Sequence, residues 1–84
     1  MDEGLLAAAR RFPERQQEIE ALAGRNEDFR SLCVDLADAE AALVGWQAST
    51  AAVREARCAE YRSLVEDLAR EVEAALRTRR HDGR

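Results

Sequence analysis

The stretch FPERQQEIEALAGRNEDFRSLCVDLADAEAAL, residues 12–43, decides the fold. Pro13 suits the first position of a helix, where its missing N–H is no loss. Glu14 follows on the favourable side of the helix dipole. Ile19 and Leu22 are three apart and share a face. Gly24 reads as a left-handed terminator just past the last turn. Asn26 then reads as an N-cap, able to accept from amides two or three residues on, with Glu27 and Asp28 in the positive first turn. From there Phe29, Leu32, Leu36, Ala39 and Leu43 recur at steps of three and four, an amphipathic stripe that Cys33, Val34 and Val44 widen. The expected helices are 13–23 and 27–47.

On the N-terminal side, Leu5, Leu6 and Ala7 to Ala9 favour helix. Gly4 interrupts and no apolar period develops, so residues 1–11 are expected to be flexible or partly helical. On the C-terminal side, residues 45–50 are the best break. Gly45 weakens the helix, and Ser49 or Thr50 can cap a new one. The alternative is one unbroken rod, since Ala48, Ala51 and Ala52 can continue a helix. Beyond the break Val53, Tyr61, Leu64, Val65, Leu68, Val72 and Leu76 form a second, heptad-like stripe, joined by Cys58 and Ala75. The third helix is expected over 51–78, with Arg77, Arg79 and Arg80 compensating its negative end. The domain is then 12–79, followed by a disordered tail over 80–84.

The two stripes match as an antiparallel pair. A turn centred near Ala48 sets Leu32 by Leu64, Leu36 by Glu60 and Tyr61, Leu43 by Val53, and Phe29 by Val65 and Leu68. The leading helix turns Ile19 and Leu22 toward Val72 and Leu76. The expected fold is all-α, an antiparallel helical hairpin with a short leading helix. Two helices bury only one side of each stripe, and a chain of this size is marginal alone. A homodimer forming a four-helix bundle completes the core.

Composition narrows the function classes. Four glycines and one proline in 84 residues suit long helices. All 13 basic residues are arginine and the net charge is −4, with both signs interspersed, which argues against a nucleic-acid binder with a basic face. No apolar run approaches the ~20 residues of a membrane span. Asp2 and Glu3 stand where a signal peptide needs positive charge, and two cysteines lack metal-ligand spacing, so a reducing cytoplasm is expected.

Phe12-Pro13-Glu14, followed by Ile19, Leu22, Asn26, Phe29, Ser31 and Leu32, resembles the N-terminal half of the YdcH-like proteins, small bacterial helical proteins of unknown function. Ala39-Glu40 and Leu43 fill the places of that family's apolar–acidic pair and following aliphatic residue, Ala39 being the weaker match. The C-terminal half departs from the family's lysine-rich pattern. The resemblance implies a helical hairpin with a short leading helix and no catalytic residue.

Candidate sites are few. A carboxylate-bridged metal site in a bundle needs Glu-x-x-His pairs. The single His81 lies in the tail, so neither metal nor cofactor is expected. Ser31, Ser49 and Ser63 have no histidine to activate them, and no enzyme is expected. Cys33 and Cys58 would lie level if the turn centred on residues 45–46, but a turn at Ala48 separates them by about 7–8 Å along the axis. Trp46, at the hairpin tip, either caps the bundle or anchors an unidentified protein partner. Arg77, Arg79, Arg80 and Arg84 either compensate the helix end or contact phosphate in a nucleic-acid-associated regulator. Interaction through protein–protein contacts is the reading these features favour.

Overall fold

A computed structural model describes residues 2–82, with side chains described as far as Arg77. The order is α1 (Glu3–Arg11), a 3-10 turn (Pro13–Arg15), α2 (Gln16–Ala23), α3 (Glu27–Gln47) and α4 (Arg54–Asp82). The described residues contain no strand, and the fold is all-α.

The segment expected to be flexible or only partly helical is a nine-residue helix. Asp2 caps it, its Oδ1 accepting from the Leu5 N–H at 3.0 Å. Gly4 does not interrupt. A Cβ at Gly4 would stand 3.0 Å from both the Cγ2 and the backbone N of Val34, so glycine is what lets α1 approach α3. Gly4, Leu5, Ala7 and Ala8 form the buried face. That face is made mostly of residues too small to register as an apolar stripe. The helix runs alongside α3 in the same direction. Asp2 pairs with Arg30, Gly4 meets Val34, and the Arg11 Nε donates to Glu40 Oε2 at 3.0 Å.

Pro13 opens a 3-10 turn, closed by the Arg15 N–H donating to the Phe12 carbonyl at 2.9 Å. α2 starts only at Gln16. Gly24 is not left-handed: its φ is −69° and ψ −17°, and no described residue has a positive φ. The change of direction falls to Asn26, extended at φ −138° and ψ 103°. Its Oδ1 accepts from the Phe29 N–H at 3.0 Å.

α3 passes through Gly45 without breaking. The break comes over residues 48–53, where the Arg54 Nε donates to the Gln47 carbonyl at 3.0 Å. Facing residues therefore sum to about 101 (47 + 54) rather than the 96 of a turn centred on Ala48. This five-residue shift sets Phe29 opposite Val72, Leu32 opposite Ala69, Leu36 opposite Val65 and Leu43 level with Cys58. All four α4 partners are buried. It also corrects two expected core residues. Val53 stays in the loop ahead of α4 and is 47% exposed, while the shift turns Leu64 outward to 43% exposure. Leu32, Leu43, Tyr61 and Leu68 are half-buried. Ile19, Leu22, Phe29, Leu36, Val65, Val72 and Leu76 are buried. α4 begins at Arg54 rather than 51 and stays helical to Asp82, through part of the expected tail; Gly83 and Arg84 lie outside the described residues.

The core sits in one half of the length. In α3 no residue after Ala39 is buried, and in α4 only Cys58 is buried before Val65. Around that half α1 adds Leu5, Ala7 and Ala8, and α2 adds Ile19, Leu22 and Ala23. The sides of the stripes assigned above to a second copy are thus partly filled by the chain's own first two helices. The outline is long and narrow, 51 × 22 × 21 Å.

Candidate functional site: the groove along α3 and α4

α1 lies along one side of α3. The side of the α3–α4 seam facing away from it carries three hollows in line, of about 380, 380 and 270 Å³. They share Asp35, and then Tyr61 and Leu64, so they form one groove from Asn26 to Trp46. Helical spacing on α3 builds its near wall: Leu32, Asp35, Ala39, Ala42 and Trp46 recur at steps of three and four. Tyr61, Leu64 and Leu68 of α4 build the far wall on the same period. The lining is apolar and, at Ala39 and Ala42, small enough for another backbone to come close.

The rim is acidic. Asp35, Asp38 and Glu71 line the groove and make no ion pair among the described residues. Near the Trp46 end Arg57 pairs with Glu60 at 2.8 Å. The opposite side differs. A hollow of about 620 Å³ there is bordered by Leu6 and Val44, with Glu40 held by Arg11 at 3.0 Å and Arg10 at 3.8 Å and with Glu3 on its rim.

Trp46 is half-buried in the last turn of α3, closing the end of the groove with Tyr61 and Leu64. Its carbonyl accepts from the Ser49 N–H at 3.0 Å. Arg77 reaches Glu73 at 3.8 Å. Arg79 and Arg80 continue α4, their side chains lying outside the described part, as does Arg84 altogether. The arginines are therefore not brought together with Trp46, which lies toward the far end of α4.

Cys33 and Cys58 are both free and buried. With facing residues summing to about 101, Cys33 lies level with residue 68, ten residues or about 15 Å along the axis from Cys58, too far for a disulfide. Burial pushes the Cys33 thiol up to about 11, aided by the Asp2 carboxylate and only partly offset by Arg30. It stays protonated at neutral pH and is no nucleophile. No three His, Cys, Asp or Glu among the described residues are grouped to hold a metal ion, and no helix among them is long and apolar enough to cross a membrane.

Sequence reasoning singled out Trp46 and the C-terminal arginines but passed over the groove rim. The signal was present in the spacing of Asp35, Asp38 and Ala42, which share the α3 face next to the apolar stripe. Gly4 and the Asp2–Arg30 pair carry no local signal, because their partners are more than twenty residues away. No family model, curated protein or solved structure matches the chain.

Proposed function

We propose that this protein is a non-enzymatic helical interaction module, acting in a bacterial cytoplasm through protein–protein contacts and assembling as a homodimer. Its working unit is the antiparallel α3–α4 hairpin, with α1 and α2 as a brace along one side. Two such hairpins face to face make a four-helix bundle. The carrying observation is the open groove, an apolar strip lined by half-buried or exposed Trp46, Tyr61, Leu64 and Leu68 with unpaired acids beside it. Surfaces that pair apolar area with unsatisfied charge are where partners dock.

Kinship with the YdcH-like proteins belongs to the same reading. It is supported by the roles of the shared positions: Pro13 opens the 3-10 turn, Asn26 caps α3, and Ile19, Leu22 and Phe29 are buried. Each has a structural duty and none is chemical. The nucleic-acid reading has less support, because Arg77 is paired with Glu73 and the groove rim would repel phosphate. Sedimentation equilibrium over about 1–100 μM tests the homodimer, the affinity range of reversible assemblies. A dimer mass is expected. A monomer across the whole range would overturn the assembly.

A further inference from the structure

We infer that the α3–α4 hairpin is exchangeable: two copies of this chain swap α4, each straightening residues 48–53 so that α3 and α4 become one helix, paired antiparallel with its copy. The exchange goes beyond the face-to-face bundle, because it needs no contact through the groove.

The break between the helices is slight. Ala48 is still right-handed helical, at φ −88° and ψ −5°. On the far side the Arg54 N–H already donates to the Ala51 carbonyl at 3.1 Å, a coiled turn just ahead of α4. Between Gln47 and Arg54 only Ser49 and Thr50 belong to no helix, turn or bend. Neither glycine nor proline stands in 48–53, and no described residue has a positive φ. Nothing in the backbone therefore bars these residues from a helix. What holds them out is exposed: the Ala51 N–H donates to Ser49 Oγ at 3.0 Å, and the Arg54 Nε to the Gln47 carbonyl at 3.0 Å. Such bonds contribute modestly, since water competes for the same groups.

Helical phase is what lets one rod serve both halves. Phe29, Cys33 and Leu36 of α3 are each followed 36 residues on by a buried side chain of α4, namely Val65, Ala69 and Val72. That spacing is ten turns at about 3.6 residues per turn. In a continuous helix both buried faces thus lie along one side. Two rods set antiparallel, about a two-fold axis at the centre of the break, keep the facing sum of about 101. Phe29 stays opposite Val72 and Leu36 opposite Val65, now across the two copies. Ser49, Thr50, Ala51 and Ala52, all small, lie at the axis where the backbones cross. The α1, α2 and α3 of each chain close on the α4 of the other, and the buried core is kept.

Uneven packing sets how the exchange starts. Next to the break, Cys58 is the only buried residue of α4 before Val65, so α4 peels from that end. It must also leave the four-helix half, so the exchange is slow and passes through a largely unfolded chain.

Refolding tests the exchange. Full-length wild type, the Ser49→Ala/Thr50→Ala double variant and Thr50→Pro are refolded from urea at low and at high protein concentration. Each is then examined by sedimentation velocity, small-angle X-ray scattering and circular dichroism. Wild type is expected to give a dimer that forms at high concentration and persists on dilution. That dimer is long, because residues 27–82 as one helix run about 84 Å against the 51 Å of one copy. Alanine at 49 and 50 favours helix and removes the Ser49 Oγ bond, and is expected to raise the dimerisation constant about tenfold. Thr50 makes none of the loop's hydrogen bonds, but a helix interior rejects proline. Thr50→Pro is therefore expected to lower the constant at least about tenfold with the monomer's helicity unchanged. A dimer no longer than one copy, and unmoved by either variant, overturns the exchange and leaves the face-to-face bundle standing. A chain that stays monomeric in every variant overturns the exchange and the bundle together.

Discussion

Two glycines show how little a residue's type says without its neighbours. Gly4 and Gly45 both look like weak points in helices. At Gly4 a Cβ would press on Val34 backbone at 3.0 Å, whereas at Gly45 nothing lies within 4 Å. Gly4→Ala is therefore expected to destabilise by about 1–3 kcal/mol, because rigid backbone must move to admit it. Gly45→Ala is expected to stabilise by about 0.5–1 kcal/mol, because it removes chain entropy from the unfolded state at no steric cost. Urea unfolding of both variants checks the pair, and equal signs would contradict it. Cys33 makes a pH prediction at the same scale. Its thiol pKa rises from 9.0 to about 11 on folding, so the folded state holds the proton more tightly. The stabilisation is full below pH 9 and is lost as pH rises through about 11, reaching roughly 2–3 kcal/mol at most. Comparing the alkaline unfolding midpoint of wild type with Cys33→Ser measures it; a decline no gentler in the variant agrees with another cause.

At the scale of elements, the helices legible in the sequence were those whose signals are local. Asn26 accepts from Phe29 three residues on, and the step of three and four from Phe29 to Ala39 stays within one helix. α3 accordingly spans 27–47 as expected from its cap and stripe. α1 was not legible, because what holds it lies on another helix: Val34 under Gly4, Arg30 beside Asp2, Glu40 beside Arg11. The turn falls a few residues later than expected, for a related reason. Gly45 weakens a helix in isolation, but packing carries α3 two residues past it, and Ala51 to Val53 stay in the loop although alanine favours helix. Asp2 does two jobs for α1, capping it and pairing with Arg30. The Leu5 N–H first, with Arg30 also contributing, lowers the Asp2 carboxyl pKa below its ordinary 3.8. A lowered folded pKa means stability present above 3.8 and lost as pH falls through the folded value. α1 is expected to loosen first on acidification, and Asp2→Ala to loosen it already at neutral pH, because the substitution removes the N-cap. The amide exchange of Ala7 and Ala8, buried against the core, reports this directly; unchanged exchange in Asp2→Ala would show that the cap does not hold the helix.

For the whole molecule, the decisive feature is that packing is uneven along a 51 Å body. One half has α1 and α2 closed around the buried run of α3 from Phe29 to Ala39 and of α4 from Val65 to Leu76. The other half is two helices with Cys58 as the single buried side chain, and with Val44, Val53 and Leu64 exposed. The sequence could not show this asymmetry, because both apolar stripes run the full length and nothing in their period says where a third and fourth helix stop. Each large side chain left unburied forgoes about 1.5–3 kcal/mol, so the two-helix half has little to resist local opening. In a monomer, amides of α3 beyond Ala39 and of α4 before Val65 are expected to exchange at least about tenfold faster than those of the four-helix half. The face-to-face copy of the proposed homodimer would cover Trp46, Tyr61 and Leu64, which belong to this weak half. Raising the protein concentration through the dimerisation range should therefore slow exchange there and leave the Phe29–Ala39 run unchanged, since its protection comes from within the chain. Uniform protection at every concentration would mean that the open half is stable without a partner, and would remove the energetic reason for the groove to be filled.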